Sequence, residues 1–538
     1  MRCVRMLPSA AFLLLVLCVC GAMARGQQQS TAQAPTFQVT SKLVFLDVTV
    51  LDKKGRPVVT GLTKDDFLIT EDKRPQRIFS FEAPDAHTLA PTARDENPDG
   101  KAPVTILVLD ELNSAWQDFA YIRWEAKRYL DSQPKELRSL TELMVVGNQS
   151  LELVEGYTRD RDELLRALAH IPPSLPYKQM NASFVGERIQ QSFDALEQIA
   201  LENQGIQGRK NILWLGHGGP GINTGFLPAG ISTPLLQYAH SVTNMLVDAR
   251  ITLFVMYPGL SVHQSSFTVS TMDSVVDPGN NDLFGPNGDI NFGVFADETG
   301  GKLFFNRNDV DGEMREAERI GSEYYTLTYQ PHGGDDDGRF RRIRITMLDP
   351  NLRAVTKIGY YAPDPKAGAD PLQQRIQSLM EAVQARVPFD ALHLSLSDVL
   401  RHPDAQTAEV ILQVAPKELH WLPEDEGKSY ARLLVSIAAL NGRRDIVRMR
   451  ALTETFTAVT QDTSLIDQQL PLTIDVTIST SKKTQSIRIA VETEKGGRVG
   501  AVEVNRARLE AAPAAPTPEP HLAAPRQGGR MAATQPPR

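Results

Sequence analysis

Residues 104–116 have the sequence VTILVLDELNSAW, and this stretch decides the fold class. Six apolar or β-branched residues run without a polar break, Asp110 follows them, and Ser114 comes four positions later. This pattern is typical of a buried parallel strand that ends at the edge where open α/β sheets bind ligands. We therefore expect an α/β sheet with Asp110 at its carboxyl edge.

The first residues predict export. Arg2 and Arg5 precede the apolar run AAFLLLVLCVCGA, and Ala22-Met23-Ala24 places small residues where signal peptidase cleaves. The run is shorter than the roughly 20 residues that span a bilayer, so a signal peptide is favoured over a membrane anchor. We expect a signal peptide over residues 1–24, cleavage after Ala24, and a secreted or periplasmic mature protein without a transmembrane segment.

Cysteine usage limits the chemistry of the mature chain. The three cysteines, Cys3, Cys18 and Cys20, all lie inside the expected signal peptide. Disulfides, thiolate catalysis and cysteine metal sites are therefore excluded from the mature protein. A lipid anchor at Cys18 or Cys20 is also disfavoured, because Leu17 and Val19 stand where such an anchor needs a small residue.

Length and charge narrow the class of protein further. At 538 residues the chain is too long for one hydrophobic core, and about two to four domains are expected. Removal of the two arginines of the signal peptide lowers the formal net charge from −8 to −10. Since no basic stripe is present, we expect no nucleic-acid partner.

The chain divides into β-rich ends around an alternating centre. Residues 37–83 show alternation and turns that predict N-terminal β hairpins, and a polar linker covers residues 84–103. Over residues 104–330 apolar strand patterns alternate with amphipathic helical patterns. This alternation predicts an α/β domain with a doubly wound, mostly parallel sheet.

Antiparallel β patterns return after the alternating region. Residues 331–362 predict a β hairpin with a turn at Asp349-Pro350-Asn351. Short antiparallel sets are rarely stable alone, so we expect the segments 41–81 and 324–360 to pair into one β unit.

The remaining chain predicts a second domain and a tail. Residues 370–386 have a helical pattern that predicts a linking helix. About seven strand-like runs in residues 389–508 predict an immunoglobulin-like β-sandwich. The Ala- and Pro-rich residues 509–538 are expected to be disordered.

Several segments in order resemble one known family. The chain resembles the von Willebrand factor A (vWA) domain within the secreted VWFA-related acidobacterial domain proteins, over about residues 40–362. The residues that carry this resemblance are LDVTVLDKKGRPVVTGLTKDDFLITED at 46–72, LVLDELNS at 107–114, GRKNILWLGHG at 208–218, ADETGGKLFFNRNDVDG at 296–312 and SEYYTLTYQP at 322–331. The resemblance implies a vWA-like fold and a role in adhesion or protein binding.

The resemblance also implies a metal-ion-dependent adhesion site, which this sequence retains only in part. The family pattern is Asp-x-Ser-x-Ser after the first strand, a threonine from a second loop, and an aspartate after a later strand, which together hold Mg²⁺. Asp110 and Ser114 match, whereas Leu112 and His217 replace expected oxygen ligands, and only Ser183 stands near the threonine position. Mg²⁺ prefers oxygen ligands and sheds water reluctantly, so we expect weak Mg²⁺ binding at most.

Two further interpretations of this loop remain open. Glu111 or Asn113 could supply substitute oxygen ligands, or Asp110 and Asn113 could cap the following helix and fix the loop. In either case ligands gather where parallel strands end, so the expected partner-contact residues are Asp110, Glu111, Asn113, Ser114 and His217.

Other motifs point to no catalytic site. Residues 216–221, GHGGPG, resemble the oxyanion loop of proline iminopeptidases, but the sequence has no Gly-x-Ser-x-Gly nucleophile elbow. Asp277, Asp282 and Asp289 lack the spacing of an EF-hand loop, and Asp335-Asp336-Asp337-Gly338 is typical of a solvated turn.

The sequence therefore predicts an exported, non-enzymatic protein that binds a protein or another envelope component. The alternatives are a structural envelope component without a discrete ligand site and an α/β-hydrolase. No cofactor is expected apart from weakly bound Mg²⁺.

Overall fold

The computed structural model describes most of the chain after residue 42. The described residues are 43–88, 100–172, 185–219, 229–258, 291–307, 309–331, 337–362, 379–380, 382–402, 406–424, 427–494 and 498–514. The predicted signal peptide lies outside them. No helix in this described part is both long and apolar enough to cross a membrane.

Four short strands begin the described chain. They are β1 Val44–Leu51, β2 Phe67–Glu71, β3 Arg74–Gln76 and β4 Ile78–Glu82. A two-residue turn joins β2 to β3, and its residues Asp72 and Lys73 have φ of 48° and 68°. Such positive φ values suit the right-handed twist of a tight hairpin. The predicted linker is partly structured, since Pro84–His87 forms a 3₁₀ helix and the His87 ring stacks on Tyr324 at 4.2 Å between centroids.

The central sheet has six strands among the described residues. These are β5 Val104–Asp110, β6 Glu136–Val146, β7 Leu151–Asp160, β8 Lys210–Leu215, β9 Ile251–Pro258 and β10 Lys302–Arg307. Their order is β10-β9-β8-β5-β6-β7, with only the edge strand β7 antiparallel to its neighbour. The doubly wound, mostly parallel sheet is thus present, and its strand order reverses between β5 and β8.

In the described part of the chain, six helices cover the two faces of this sheet. They are α1 Trp116–Ser132, α2 Arg161–His170, α3 Val185–Glu202, α4 Ala229–Asp248, α5 Gly293–Thr299 and α6 Val310–Gly321. Leu107 and Leu109 of β5 pack with α1, α2 and α6, whereas Ile106 and Val108 pack with α3, α4 and α5. Because both faces are covered, every side chain of β5 is buried, which explains its unbroken apolar run.

The segments on either side of the α/β domain pair with each other, as predicted. After α6 come β11 Tyr325–Tyr329, β12 Phe340–Met347, β13 Arg353–Val355 and β14 Gly359–Tyr361. They form two sheets with the first four strands, in the orders β13-β1-β11-β4 and β14-β12-β2-β3. The predicted hairpin over 331–362 is therefore divided between two sheets, and β11 belongs to this β unit rather than to the parallel sheet.

The C-terminal region is a pair of antiparallel sheets. Its strands are β15 Leu394–His402, β16 Thr407–Val414, β17 Leu422–Pro423, β18 Ser429–Leu440, β19 Ile446–Ala458, β20 Leu472–Ser479, β21 Ser486–Thr493 and β22 Val499–Asn505. One sheet has the order β15-β16-β20, and the other has the order β17-β18-β21-β22 with β19 beside β18. Val410 and Leu412 of the first sheet share a core with Val435 and Ile489 of the second. The finer immunoglobulin-like arrangement stays a prediction.

The ends of this region differ from the sequence-based boundaries. Of the predicted linking helix 370–386, the described residues 379–380 and 382–384 are helical. A short helix α7, Thr463–Asp467, lies between β19 and β20, and α8, Arg506–Ala511, follows β22. Helix α8 continues past residue 509, where the disordered tail was expected to begin. Asn505 caps its first turn, because its side chain accepts from the Arg508 N–H at 2.9 Å. Residues 515–538 lie outside the described part of the chain.

The C-terminal sheets pack directly on the α/β domain. Val499 and Ala438 belong to the same core as Ile199 of α3. Gly205 lies against the backbone of Ala391, where an added Cβ would come within 2.8 Å of the Ala391 Cα. The two regions therefore share a close apolar contact.

Candidate functional site

The candidate site lies at the carboxyl edge of the central sheet, between β5 and β8. Asp110 is the last residue of β5, and Gly216, His217 and Gly218 follow directly after β8. The two strands are parallel neighbours, with Leu109 opposite Leu215. The strand order reverses here, which is the position where open α/β sheets bind ligands, and we call the region between these two loops the crevice.

The Asp110 carboxylate is engaged by N–H donors of the protein itself. Its Oδ1 accepts from the Asn113 backbone N–H at 2.9 Å, and its Oδ2 accepts from the Gly218 backbone N–H at 2.6 Å and from Trp214 Nε1 at 3.4 Å. The Asn113 side-chain amide adds contacts of 3.3 Å to both oxygens. Asp110 therefore holds its own loop and the loop after β8 together.

A glycine is needed where the two loops meet. Gly216 has a φ of +141°, and an added Cβ would lie 2.5 Å from the Asp110 Cβ. Gly218 has a φ of +74°, which directs its N–H to the Asp110 carboxylate. The sequence GHG after β8 is thus explained by close backbone approach to Asp110 rather than by an oxyanion loop.

Burial and hydrogen bonding act in opposite directions on Asp110. The side chain is fully buried, which raises its pKa, while the N–H donors from Asn113 and Gly218 and the nearby His217 lower it; the net effect is a raised pKa.

The prediction that Asp110 and Asn113 cap the following helix is wrong. The N-cap of α1 is Ala115, because two residues separate Asn113 from the first turn of that helix, so Asp110 and Asn113 fix the loop without capping the helix.

A second layer of polar contacts comes from α3. The Asn113 amide donates to Ser192 Oγ at 2.9 Å and to the Gly218 carbonyl at 3.2 Å, and its Oδ1 accepts from the Arg188 guanidinium at 3.1 Å. Arg188 is buried, and burial lowers its pKa while the charge of Asp110 raises it. A fixed positive charge therefore lies beside Asp110, and the sequence analysis did not identify it.

The side of the crevice next to α1 contains His217 and Asp118. His217 Nε2 lies 3.6 Å from Asp118 Oδ2, and the imidazole packs edge-on against the Tyr257 ring at 4.0 Å between centroids. Within the described residues, both Asp118 oxygens, His217 Nε2 and Ser114 Oγ have no hydrogen-bond partner. Asp118 lies in the first turn of α1, where sequence periodicity treats it as an ordinary polar helix residue.

Most of the predicted partner-contact residues are buried. Asp110 and Ser114 are fully buried, Asn113 is 4% exposed and Glu111 is 6% exposed. His217 alone among the five presents side-chain surface, at 15%. This corrects the predicted contact set, because the loop after β8 packs over the loop after β5 and leaves His217 on top.

The remaining candidate residues contribute nothing to this crevice in the described part of the chain. Leu112 is fully buried in the core under α3. Asp337 accepts hydrogen bonds from Arg339 and Arg341, as expected for a turn. The other candidates and motif residues lie outside the described residues: Ser183, residues 220–221, Asp277, Asp282, Asp289, Asp335 and Asp336.

The donor set does not fit Mg²⁺ in the usual adhesion-site arrangement. Mg²⁺ requires near-octahedral oxygen ligands. The Asp110 oxygens already accept protein N–H groups, Leu112 offers no ligand, and the Arg188 charge repels a cation. Among the described residues, no group of three or more His, Cys, Asp or Glu side chains is arranged to hold a metal ion.

Comparisons with known proteins give only distant similarities. No protein-family model and no curated protein matches the chain. Among solved structures, the chain is similar to an aerotolerance-related membrane protein from Bacteroides fragilis NCTC 9343, at 14% identity and a TM-score of 0.23 over 40% of this chain and 98% of that chain. It is similar to the SpRpn10 VWA domain, at 21% identity and a TM-score of 0.19 over 30% of this chain and 76% of that one. It is also similar to a von Willebrand factor type A protein from Catenulispora acidiphila, at 10% identity and a TM-score of 0.25 over 59% and 80%. With TM-scores this low, the architecture described above rests on the chain's own strand order and contacts.

Proposed function

We propose that the chain is an exported, non-enzymatic protein-binding protein whose vWA-like domain carries a degenerate metal-ion-dependent adhesion site. The observation that carries the proposal is the Asp110 carboxylate, which lies at the ligand-binding edge of the sheet but accepts protein N–H donors on both oxygens. The aspartate of the adhesion-site pattern is therefore present as Asp110. Its carboxylate holds the loops of the crevice together instead of binding Mg²⁺.

The surface beside the crevice is suited to protein contact. Trp116, the first residue of α1, is 55% exposed, and Trp124 two turns later is 53% exposed. Exposed tryptophans are enriched among the residues that dominate binding energy at protein interfaces. Trp116 and His217 therefore form the proposed partner-contact surface, which we call the α1 edge.

Export is part of the proposal. It rests on Arg2, Arg5, the apolar run and the small residues at 22–24. N-terminal sequencing of the mature protein should begin at or near Arg25. An intact Met1 in envelope fractions would contradict export.

Two alternative functions predict different features at the same surface. A structural envelope component would need no discrete contact at the α1 edge. A hydrolase would need a nucleophile opposite the backbone donors at Gly216 and Gly218, and the sequence has no nucleophile elbow. The binding role therefore has the better support.

Site-specific crosslinking tests the binding role. A photoreactive residue replaces Trp116 in the mature protein, and a matched variant carries it at Val459, which is 84% exposed on the C-terminal sheets. In envelope extracts we expect a discrete crosslinked species from position 116 that excess unlabelled protein removes, and none from position 459. Equal labelling from both positions, or none from position 116, would favour the structural alternative.

A further inference from the structure

The proposed function does not explain how the negative charge of the buried Asp118 carboxylate is stabilised. Its side chain is 1% exposed, its ion pair with His217 is long at 3.6 Å, and neither oxygen has a hydrogen-bond partner within the described residues. A buried carboxylate is costly unless it is paired or coordinates a metal ion. The amino end of α1 stabilises a negative charge at this position but supplies no hydrogen-bond donor to it.

The distance between Asp118 and His217 indicates the missing group. The 3.6 Å from His217 Nε2 to Asp118 Oδ2 is too long for a hydrogen bond, and His217 Nε2 also has no partner among the described residues. Zinc binds imidazole nitrogen at about 2.0–2.1 Å and carboxylate oxygen at about 2.0–2.2 Å. An ion between the two atoms would subtend an angle of roughly 120°, close to that of tetrahedral coordination.

We infer that Asp118 and His217 bind a divalent cation of the zinc class. Imidazole suits Zn²⁺, Co²⁺ and Ni²⁺, whereas Mg²⁺ prefers oxygen ligands only. His217 replaces an aspartate of the adhesion-site pattern, so Mg²⁺ loses an oxygen ligand there. The same His217 side chain offers a nitrogen ligand to a softer ion. The cation lies on the α1 side of the crevice and does not use Asp110.

The Ser114 hydroxyl is the candidate third ligand for this ion. It is fully buried, lacks a partner among the described residues, and lies against Gly216, the residue before His217. With two strong ligands and one hydroxyl, at least one coordination position stays open for water or for a carboxylate of a partner. This inference goes beyond the protein-binding proposal and stands without it.

Metal titration of the purified mature protein tests the site. Zn²⁺ binding is measured by calorimetry, and Co²⁺ binding by the visible absorption typical of tetrahedral cobalt. We expect one site in the micromolar range for Zn²⁺, weakened at least tenfold in Asp118→Asn and in His217→Gln. Ser114→Ala should weaken binding less than either substitution.

A matched control separates this site from other histidines. His402 contacts Glu409 at 2.8 Å on the C-terminal sheets, so His402→Gln removes another histidine–carboxylate pair and should leave Zn²⁺ binding unchanged. Circular dichroism verifies that each variant is folded. Absence of Zn²⁺ binding below the millimolar range would overturn the inference, as would binding that persists in both Asp118→Asn and His217→Gln or disappears in His402→Gln.

Discussion

Replacement of Asp110 by alanine should destabilise the folded protein strongly. The substitution leaves three buried N–H donors without their acceptor, those of Asn113, Trp214 and Gly218. Each unsatisfied buried donor costs about 1–3 kcal/mol. Because water entering the vacated space recovers part of this cost, we expect a total loss of about 3–5 kcal/mol in the free energy of unfolding.

The experiment is urea unfolding followed by tryptophan fluorescence, since Trp214 is fully buried beside Asp110 and reports on this region. The control is Asp349→Ala, an exposed turn carboxylate that accepts from the Asn351 N–H at 2.8 Å, with an expected loss below about 1 kcal/mol. A loss in Asp110→Ala no larger than in the control would refute the reasoning. It would mean that the Asp110 carboxylate is available for a ligand rather than used by the fold.

Three further predictions follow from buried groups and strand pairing. Burial raises the pKa of Glu142 from 4.5 to about 8, so its contribution to stability is fully present below about pH 4.5 and is lost as the pH rises through about 8. The advantage of Glu142→Gln over wild type in the urea midpoint should therefore grow from pH 5 to pH 9, and a constant difference would contradict this. Deletion of residues 37–83 removes both partners of β11 and the partner β2 of β12, which still pairs with β14, so limited proteolysis should cut β11 and the end of β12 that faced β2; unchanged protection would disprove the pairing. Gly216→Ala places a Cβ 2.5 Å from the Asp110 Cβ and should lower the free energy of unfolding in urea by about 1–3 kcal/mol or more. In the control Gly156→Ala the added Cβ meets nothing within 4 Å, so the loss should be less than half as large.

The sequence was sufficient where local pattern determines structure. The apolar runs of β5, β8 and β9 identify buried strands because a strand covered on both faces has mostly apolar positions. The position of Asp110 at the sheet edge, opposite the residues after β8, follows from the same runs. The pairing of the two β segments also follows, since neither is stable alone.

Features that depend on distant contacts could not be predicted in the same way. Asp118 and Arg188 have the pattern of ordinary polar residues on amphipathic helices, and only the packing of α1 and α3 around the crevice shows that both are buried. The expected pairing of segment 324–360 with 41–81 included β11, but not its position between β1 and β4, because the order of strands in a sheet depends on distant contacts. Helix α8 extends past residue 508, and composition does not reveal that Asn505 caps its first turn.

Calorimetric titration of the mature protein with Mg²⁺ tests the central claim most directly. The claim is that the Asp110 carboxylate organises the crevice and does not hold Mg²⁺. We predict no Mg²⁺ binding tighter than about millimolar, the weak end of the range for protein cation sites. Micromolar Mg²⁺ binding to the wild type that disappears in Asp110→Ala would contradict the account and would restore a metal-ion-dependent adhesion site.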